Sequence, residues 1–158
     1  MVVCGKEQSG RPYYVEVLTW KDRAVTGNPP AELRVLVVCS GALCPQWLGE
    51  MYGRFQARIF ALAEQHVAGN LANLPRLITS YAALAQSELL RHSLLELPWD
   101  VLVIDEAHRV LGSPLYDFVH KLAARAPGLL LLSAPPSRAR PAQQARLLSL
   151  LAAPNKPS

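Results

Sequence analysis

The sequence from Trp99 to His108, WDVLVIDEAH, decides the fold of this chain. Four consecutive apolar residues, Val101–Ile104, are followed directly by Asp105 and Glu106. A short and fully apolar run is typical of a strand that is buried on both faces of a parallel sheet. Open α/β sheets bind their ligands at the carboxyl ends of the strands, so this strand would carry two carboxylates to that edge. One carboxylate can hold Mg²⁺ and the other can orient and deprotonate water, which indicates nucleotide hydrolysis.

Segments that favour strands alternate with segments that favour helices over most of the chain. Apolar and β-branched runs predict strands at 35–39, 58–63, 76–79, 100–104 and 129–132. Apolar spacing and composition predict helices at 45–55, 81–95, 115–123 and 141–151, and leave 65–74 ambiguous. This alternation predicts an α/β fold with three layers, in which a mostly parallel sheet has helices on both faces.

The first 33 residues differ from the rest of the chain. Tyr13–Trp20 (YYVEVLTW) is rich in strand-forming residues, and the sequence GNPP at 27–30 breaks the chain after it. We therefore divide the chain into a divergent N-terminal segment, a domain over residues 34–152 and a tail over residues 153–158.

Composition limits the class of protein without naming a function. A length of 158 residues and a hydrophobic fraction of 51% fit one domain with a real core. The net charge of +4 permits a phosphate-bearing partner but does not require one. Cys4, Cys39 and Cys44 form no C-x-x-C pair, which favours free thiols over disulfides or a zinc site. The sequence has no signal-peptide pattern or membrane-spanning run, so we expect a cytoplasmic protein without a membrane partner.

Four segments carry a resemblance to a known family. They are RVLVVCSGALCPQWLGEMYGRF (34–55), LITSYAAL (77–84), WDVLVIDEAHRV (99–110) and LLLLSAPPSR (129–138). In order and spacing they resemble the first RecA-like lobe of superfamily-two helicases of the DEAH type. Within that superfamily they are most similar to Swi/Snf-type DNA translocases, in particular the bacterial branch that recycles RNA polymerase. The resemblance implies that residues 34–152 form a partial RecA-like ATPase lobe, incomplete at its N-terminus, of a DNA-dependent ATPase.

The same resemblance implies a role for each matching residue of the last two segments. Asp105 would hold Mg²⁺, and Glu106 would be the general base that positions the attacking water. His108 would couple the nucleotide site to the rest of the lobe. Ser133 and Ala134 would link hydrolysis to movement. Mg²⁺ and ATP are the implied cofactors. DNA is the implied partner, with RNA polymerase or a second RecA-like lobe as further partners.

The first two segments would face the nucleic-acid backbone through Gly41, Ala42, Thr79 and Ser80. Physical chemistry agrees with this interpretation, because helix starts present unpaired N–H groups to phosphates and small hydroxyl residues allow close approach. For Thr79 and Ser80, a helix N-cap before Tyr81 explains the sequence equally well, and both roles can hold together.

The chain departs from the family pattern at the phosphate site. The family carries G-x-x-x-x-G-K-[ST] ahead of the acid pair, whereas the only Gly-Lys pair here, Gly5-Lys6, is followed by Glu7. Pro135 stands where the family has threonine. A second lobe, which closes the cleft and supplies arginine fingers, is also absent from the sequence, and loss of a finger typically costs about 10³- to 10⁵-fold in rate. We therefore expect that the chain alone does not hydrolyse ATP at a useful rate and binds Mg²⁺ and ATP weakly.

Loss of the strand that leads into the phosphate loop would leave unpaired edges in the sheet. We expect Tyr13–Trp20 to fill part of that vacancy.

Other interpretations of the sequence stay open. The chain could be a non-catalytic module that binds nucleic acid or protein, for example as an inhibitor of an intact translocase, or an inactive gene remnant. Trp47 is expected to pack in the core beneath its helix, and Arg109 to be solvated or to face the cleft. The remaining histidines have no partner at a useful spacing and are expected to be ordinary surface or core residues; they are His66, His92 and His120.

Overall fold

The computed structural model describes residues 2–6, 12–16, 33–55, 60–66, 71–133, 145–147 and 149–150. Its strands are β1 (Val2–Lys6), β2 (Pro12–Glu16), β3 (Val35–Cys39), β4 (Ala61–Leu62), β5 (Arg76–Ser80), β6 (Val101–Ile104) and β7 (Gly128–Leu131). Its helices are α1 (Cys44–Phe55), α2 (Tyr81–Gln86), α3 (Glu88–Glu96) and α4 (Tyr116–Arg125). Short 3-10 turns cover Gly41–Leu43, Ala63–Gln65, Leu71–Asn73 and Ala107–Val110.

Five strands form one sheet in the order β4-β5-β3-β6-β7, and every pair of neighbours is parallel. Strand β3 lies at the centre, with Val37 opposite Ile78 of β5 and Val103 of β6. Because the strands are parallel, their carboxyl ends meet at one edge, and the residues that follow β3, β5, β6 and β7 gather there. The predicted parallel α/β architecture is confirmed.

Apolar side chains pack on both faces of this sheet. On one face, residues such as Leu36, Leu77 and Leu102 join the buried side chains of α2, α3 and α4 in one large cluster. On the other face, Val37 and Ile78 pack with Cys44 at the start of α1. Alternate residues of each strand thus serve opposite faces, which explains why these strands are continuous apolar runs and confirms the three layers.

The predicted helix over 81–95 is two helices in the structure. Ser87 interrupts it with an extended backbone, and its side chain accepts a hydrogen bond from Leu90 N at 3.1 Å. Serine competes with the helical ladder in this way by capping a new helix start. The predicted strand over 58–63 is also shorter, since Ala61–Leu62 turns at once into a 3-10 helix and residues 56–59 lie outside the described part.

The N-terminal strand does not join the main sheet as expected. Pro12–Glu16 pairs antiparallel with Val2–Lys6 in a separate two-stranded sheet, with Val3 opposite Val15. The expectation that Tyr13–Trp20 fills a vacancy in the main sheet is therefore wrong for its described residues. A strand close in sequence pairs at a low cost of loop closure, which favours this local hairpin over insertion into a distant sheet.

No helix within the described ranges is long and apolar enough to cross a membrane.

Candidate functional site at the carboxyl edge of the sheet

Asp105 is the first residue after β6, and both its backbone groups and both its carboxylate oxygens form hydrogen bonds. Its backbone N–H donates to Val38 O of the central strand at 2.8 Å. Its carboxylate accepts from Trp47 Nε1 through Oδ2 and from Glu106 N through Oδ1, both at 2.9 Å. The Tyr81 hydroxyl donates to its carbonyl oxygen. Asp105 therefore connects the acid pair to α1, to α2 and to the central strand.

Glu106 adopts a left-handed backbone conformation, with φ 50° and ψ 48°, and no other non-glycine residue in the described ranges has a positive φ. This region is unfavourable for a residue with a Cβ atom, and such strain is concentrated at functional sites. The Glu106 carboxylate forms an ion pair with Arg109 at 3.0 Å, and both side chains are partly exposed, at 38% and 49%. The Arg109 guanidinium also lies over the Tyr81 ring, 5.8 Å from its centroid.

The segment after the acid pair touches the end of β7. His108 Nδ1 lies 3.3 Å from Ser133 Oγ, and Ala107 N donates to Leu132 O at 2.8 Å. Both contacts join the segment that carries the acids to the last of the four segments, 129–138. Ala134, the other residue expected there, lies outside the described residues.

The four residues expected at the nucleic-acid backbone fall into two environments. Gly41 and Ala42 are exposed in the 3-10 turn between β3 and α1. Thr79 and Ser80, by contrast, are 0% and 7% exposed at the end of β5. A Cβ atom at Gly41 would lie 3.8 Å from Ser80 Cβ, so the two segments are neighbours although only the turn is open to solvent.

Ser80 is the N-cap of α2. Its Oγ accepts a hydrogen bond from Ala83 N at 3.1 Å, which confirms the capping interpretation. The Thr79 hydroxyl is buried and has no hydrogen-bond partner among the described residues. The phosphate contact of both residues stays a prediction.

Sequence reasoning missed two contacts: the bond between Trp47 and Asp105, and the approach of the Cys39 and Cys44 thiols. Trp47 does pack against the smaller apolar cluster as expected, but it is only partly buried and also bonds Asp105, 58 residues away. Cys39 and Cys44 are buried with their Sγ atoms 3.4 Å apart. Burial raises the pKa of both thiols, with the neighbouring thiol raising that of Cys39 further. The one sequence feature that could have indicated the bond between Trp47 and Asp105 is the presence of a bulky tryptophan in the segment 34–55.

The acid pair suits one part of a metal–nucleotide site. Mg²⁺ is often held by one or two carboxylates and keeps several waters, which a single Asp105 could accommodate. Within the described ranges no cluster of three or more potential metal ligands occurs. The Asp105 carboxylate thus suits the metal side of such a site.

Comparison with known proteins gives the fold an external match. No family model matches the chain. Among solved structures, it is similar to the SWI2/SNF2 ATPase core of Sulfolobus solfataricus, determined in complex with dsDNA, with a TM-score of 0.65 and 22% sequence identity. The match covers 77% of this chain and 25% of that chain, so the chain corresponds to about a quarter of the ATPase core. The RecA-like α/β fold expected from the sequence is therefore confirmed.

Proposed function

We propose that the chain is part of the first RecA-like lobe of a Swi/Snf-type, DNA-dependent ATPase. In this function it supplies the acidic side of a nucleotide site and a turn that contacts duplex DNA. One observation carries the proposal: Asp105 and Glu106 follow β6 at the carboxyl edge of a parallel sheet, with the exposed turn after β3 on one side and Ser133 on the other. The similarity to a solved SWI2/SNF2 core supports the same function.

Each acid would have one task when a nucleotide is present. Asp105 would hold Mg²⁺ through water, and the bound metal nucleotide would supply the electrophilic phosphorus. Glu106 would accept the proton of the attacking water, for which its carboxylate must exchange Arg109 for water. That ion pair is partly exposed, and such pairs contribute only about 0–1 kcal/mol, so the exchange is cheap. The contact between His108 and Ser133 would pass the change to the end of β7.

We further propose that the chain alone does not turn over ATP. The sequence contains no phosphate-binding loop, and the acids by themselves do not cradle the β- and γ-phosphates. Groups outside this sequence, such as a phosphate-binding loop and a second RecA-like lobe, would have to complete the cleft.

The proposed DNA contact is the exposed turn at Gly41 and Ala42. Glycine without a side chain lets a phosphate approach the backbone closely, and the small Ala42 adds little bulk. The net charge of +4 favours such a contact without specifying it. RNA polymerase would be a further partner of the same surface or a neighbouring one.

Two titrations test the proposal. Labelled ATP with Mg²⁺, with and without duplex DNA, should give no turnover and at most weak binding, whereas duplex DNA alone should bind with an affinity that falls steeply with salt. Gly41→Asp should weaken DNA binding, and Gln86→Asp, on the far end of α2, is the matched control. Absence of DNA binding at low salt would refute the DNA-facing function. If the parent chain hydrolyses ATP and Glu106→Gln abolishes that hydrolysis, the claim that the chain is inactive alone is refuted.

A non-catalytic binding module is the second candidate. It is favoured by the internal bonds of the acids, because Asp105 is satisfied by Trp47 and Glu106 by Arg109 without any ligand. Mg²⁺–ATP that leaves DNA affinity unchanged would favour this candidate, while a change in DNA affinity would favour the ATPase lobe.

A further inference from the structure

One hydrogen bond joins helix α1 to the acid pair across the carboxyl edge of the sheet. Trp47 lies in the first turn of α1, and its Nε1 donates to Asp105 Oδ2 at 2.9 Å. The other carboxylate oxygen, Oδ1, accepts from Glu106 N at 2.9 Å. A single carboxylate therefore bridges an indole on one element and the backbone of the residue that would act as base. Hydrogen bonds to an ionised group are stronger than those between neutral groups, so this bridge is a firm link.

The bridge bears on the strained residue. A left-handed conformation at a residue with a Cβ atom persists only where its surroundings hold it. At Glu106 the holding contacts are Asp105 Oδ1 on its N–H and Arg109 N on its carbonyl oxygen, the latter at 2.8 Å. The first of these depends on where the Asp105 carboxylate points. Among the described residues, that carboxylate has one side-chain anchor outside the acid segment, and it is Trp47.

The exposed turn lies at the same end of α1 as Trp47. Gly41–Leu43 leads into Cys44 with no residue between the turn and the helix, so Trp47 lies four residues beyond the end of the turn. Trp47 also packs against the small apolar cluster that includes Cys44. A displacement of the turn would therefore reach the indole within one helical turn, through a rigid element and a packed contact.

We propose that Trp47 is a positioning residue that holds Glu106 in its left-handed conformation through Asp105 and passes displacements of the Gly41–Leu43 turn to the acid pair. The transmission step deepens the proposed function and rests on DNA binding at the turn. The holding step does not, since it concerns contacts within the chain.

Trp47→Phe tests the holding step. Phenylalanine keeps an aromatic ring in the apolar cluster and removes the indole donor. Trp99→Phe is the matched control, because Trp99 Nε1 donates to the backbone oxygen of Leu94 at 2.8 Å, within the other apolar cluster. We expect hydrogen exchange at the Glu106 amide to be about tenfold faster in Trp47→Phe and unchanged in Trp99→Phe. Equal exchange rates at Glu106 in Trp47→Phe and the parent chain would overturn the proposal.

Duplex DNA tests the transmission step. Added DNA should shift the Trp47 indole and Glu106 amide resonances of the parent chain, because Trp47 moves with α1 and its bond to Asp105 passes that movement to Glu106. Trp47→Phe should still bind DNA but lose the Glu106 shift, while Trp99→Phe should keep it. A Glu106 shift that persists in Trp47→Phe overturns the transmission step. If the parent chain binds no DNA, the proposed function fails and transmission fails with it, while the exchange experiment still decides the holding step.

A second variant covers the case in which Trp47→Phe does not fold. Asp105→Asn weakens the same bond from the acceptor side, since an amide oxygen is neutral. It should move the indole N–H resonance of Trp47 upfield and leave that of Trp99 in place. An unchanged Trp47 resonance in folded Asp105→Asn contradicts the bridge and overturns the proposal.

Discussion

The strained backbone at Glu106 leads to a prediction about stability that runs against intuition for a site residue. Glu106→Gly and Glu106→Gln both remove the ion pair with Arg109, which contributes about 0–1 kcal/mol. Only the glycine variant also relieves the left-handed strain, which costs roughly 1–2 kcal/mol for a residue with a Cβ atom. Glycine gives back about 0.4–1 kcal/mol through the greater entropy of the unfolded chain. Glu106→Gly should therefore be more stable than Glu106→Gln by about 0.8 kcal/mol.

Urea unfolding of the two variants, followed by circular dichroism, measures this difference directly. For a domain of this size, 0.8 kcal/mol corresponds to a rise in Tm of roughly 2–3 °C, so calorimetry gives an independent measurement. Because both variants lack the carboxylate, the ion pair cancels in the comparison. A glycine variant that is less stable than the glutamine variant would refute the idea that the Glu106 backbone stores strain, and with it the need for Asp105 to hold that backbone.

Three further predictions concern glycine packing, capping and alkaline pH. Gly128→Ala should cost about 1–3 kcal/mol, because its Cβ would lie 2.9 Å from the backbone oxygen of Asp100, just before β6. Gly49→Ala should be neutral or stabilising, because a Cβ at this position of α1 meets no atom within 4 Å. Urea unfolding compares the two variants. Ser80→Ala should lower the free energy of unfolding by about 1 kcal/mol, because it removes the N-cap of α2. The same urea experiment measures this loss, and unchanged stability would show that the cap does not stabilise the protein. The free energy of unfolding should fall as pH rises above about 9, by up to about 1.4 kcal/mol per pH unit for Cys39, because burial raises the pKa of this thiol above the value of 9.0 that it regains on unfolding. The parent chain should therefore lose more stability above pH 9 than a Cys39→Ala variant, as measured by urea unfolding. Equal losses in the two proteins would contradict the prediction.

Continuous apolar runs made the central part of the fold predictable from the sequence. Val35–Cys39 and Val101–Ile104 are short, apolar and flanked by turn or polar residues, and burial on both faces of a parallel sheet is the environment that such runs require. The two acids after Ile104 could be placed at the carboxyl edge for the same reason. These inferences needed only local sequence, which explains why they hold.

Features that depend on competing or distant contacts could not be predicted in this way. Ser87 offers its hydroxyl to Leu90 N and so divides a segment whose apolar spacing suits one longer helix. The pairing of Val2–Lys6 with Pro12–Glu16 depends on a competition between sheets that no local pattern expresses. The bond from Trp47 to Asp105 joins residues 58 positions apart, and spacing within either segment gives no sign of it.

The two acids differ in how firmly the protein holds them, and the difference matches the tasks proposed for each. Asp105 accepts charge-assisted hydrogen bonds from Trp47 and from a backbone N–H in a partly buried site, and such bonds contribute about 1.5–3 kcal/mol each. Within the part of the chain that the structure describes, the Glu106 side chain is held by a partly exposed ion pair of about 0–1 kcal/mol. A perturbation at this edge would therefore release the Glu106 carboxylate well before it moved Asp105. A fixed carboxylate suits a metal ligand, and a carboxylate that exchanges partners readily suits a base that must reach water.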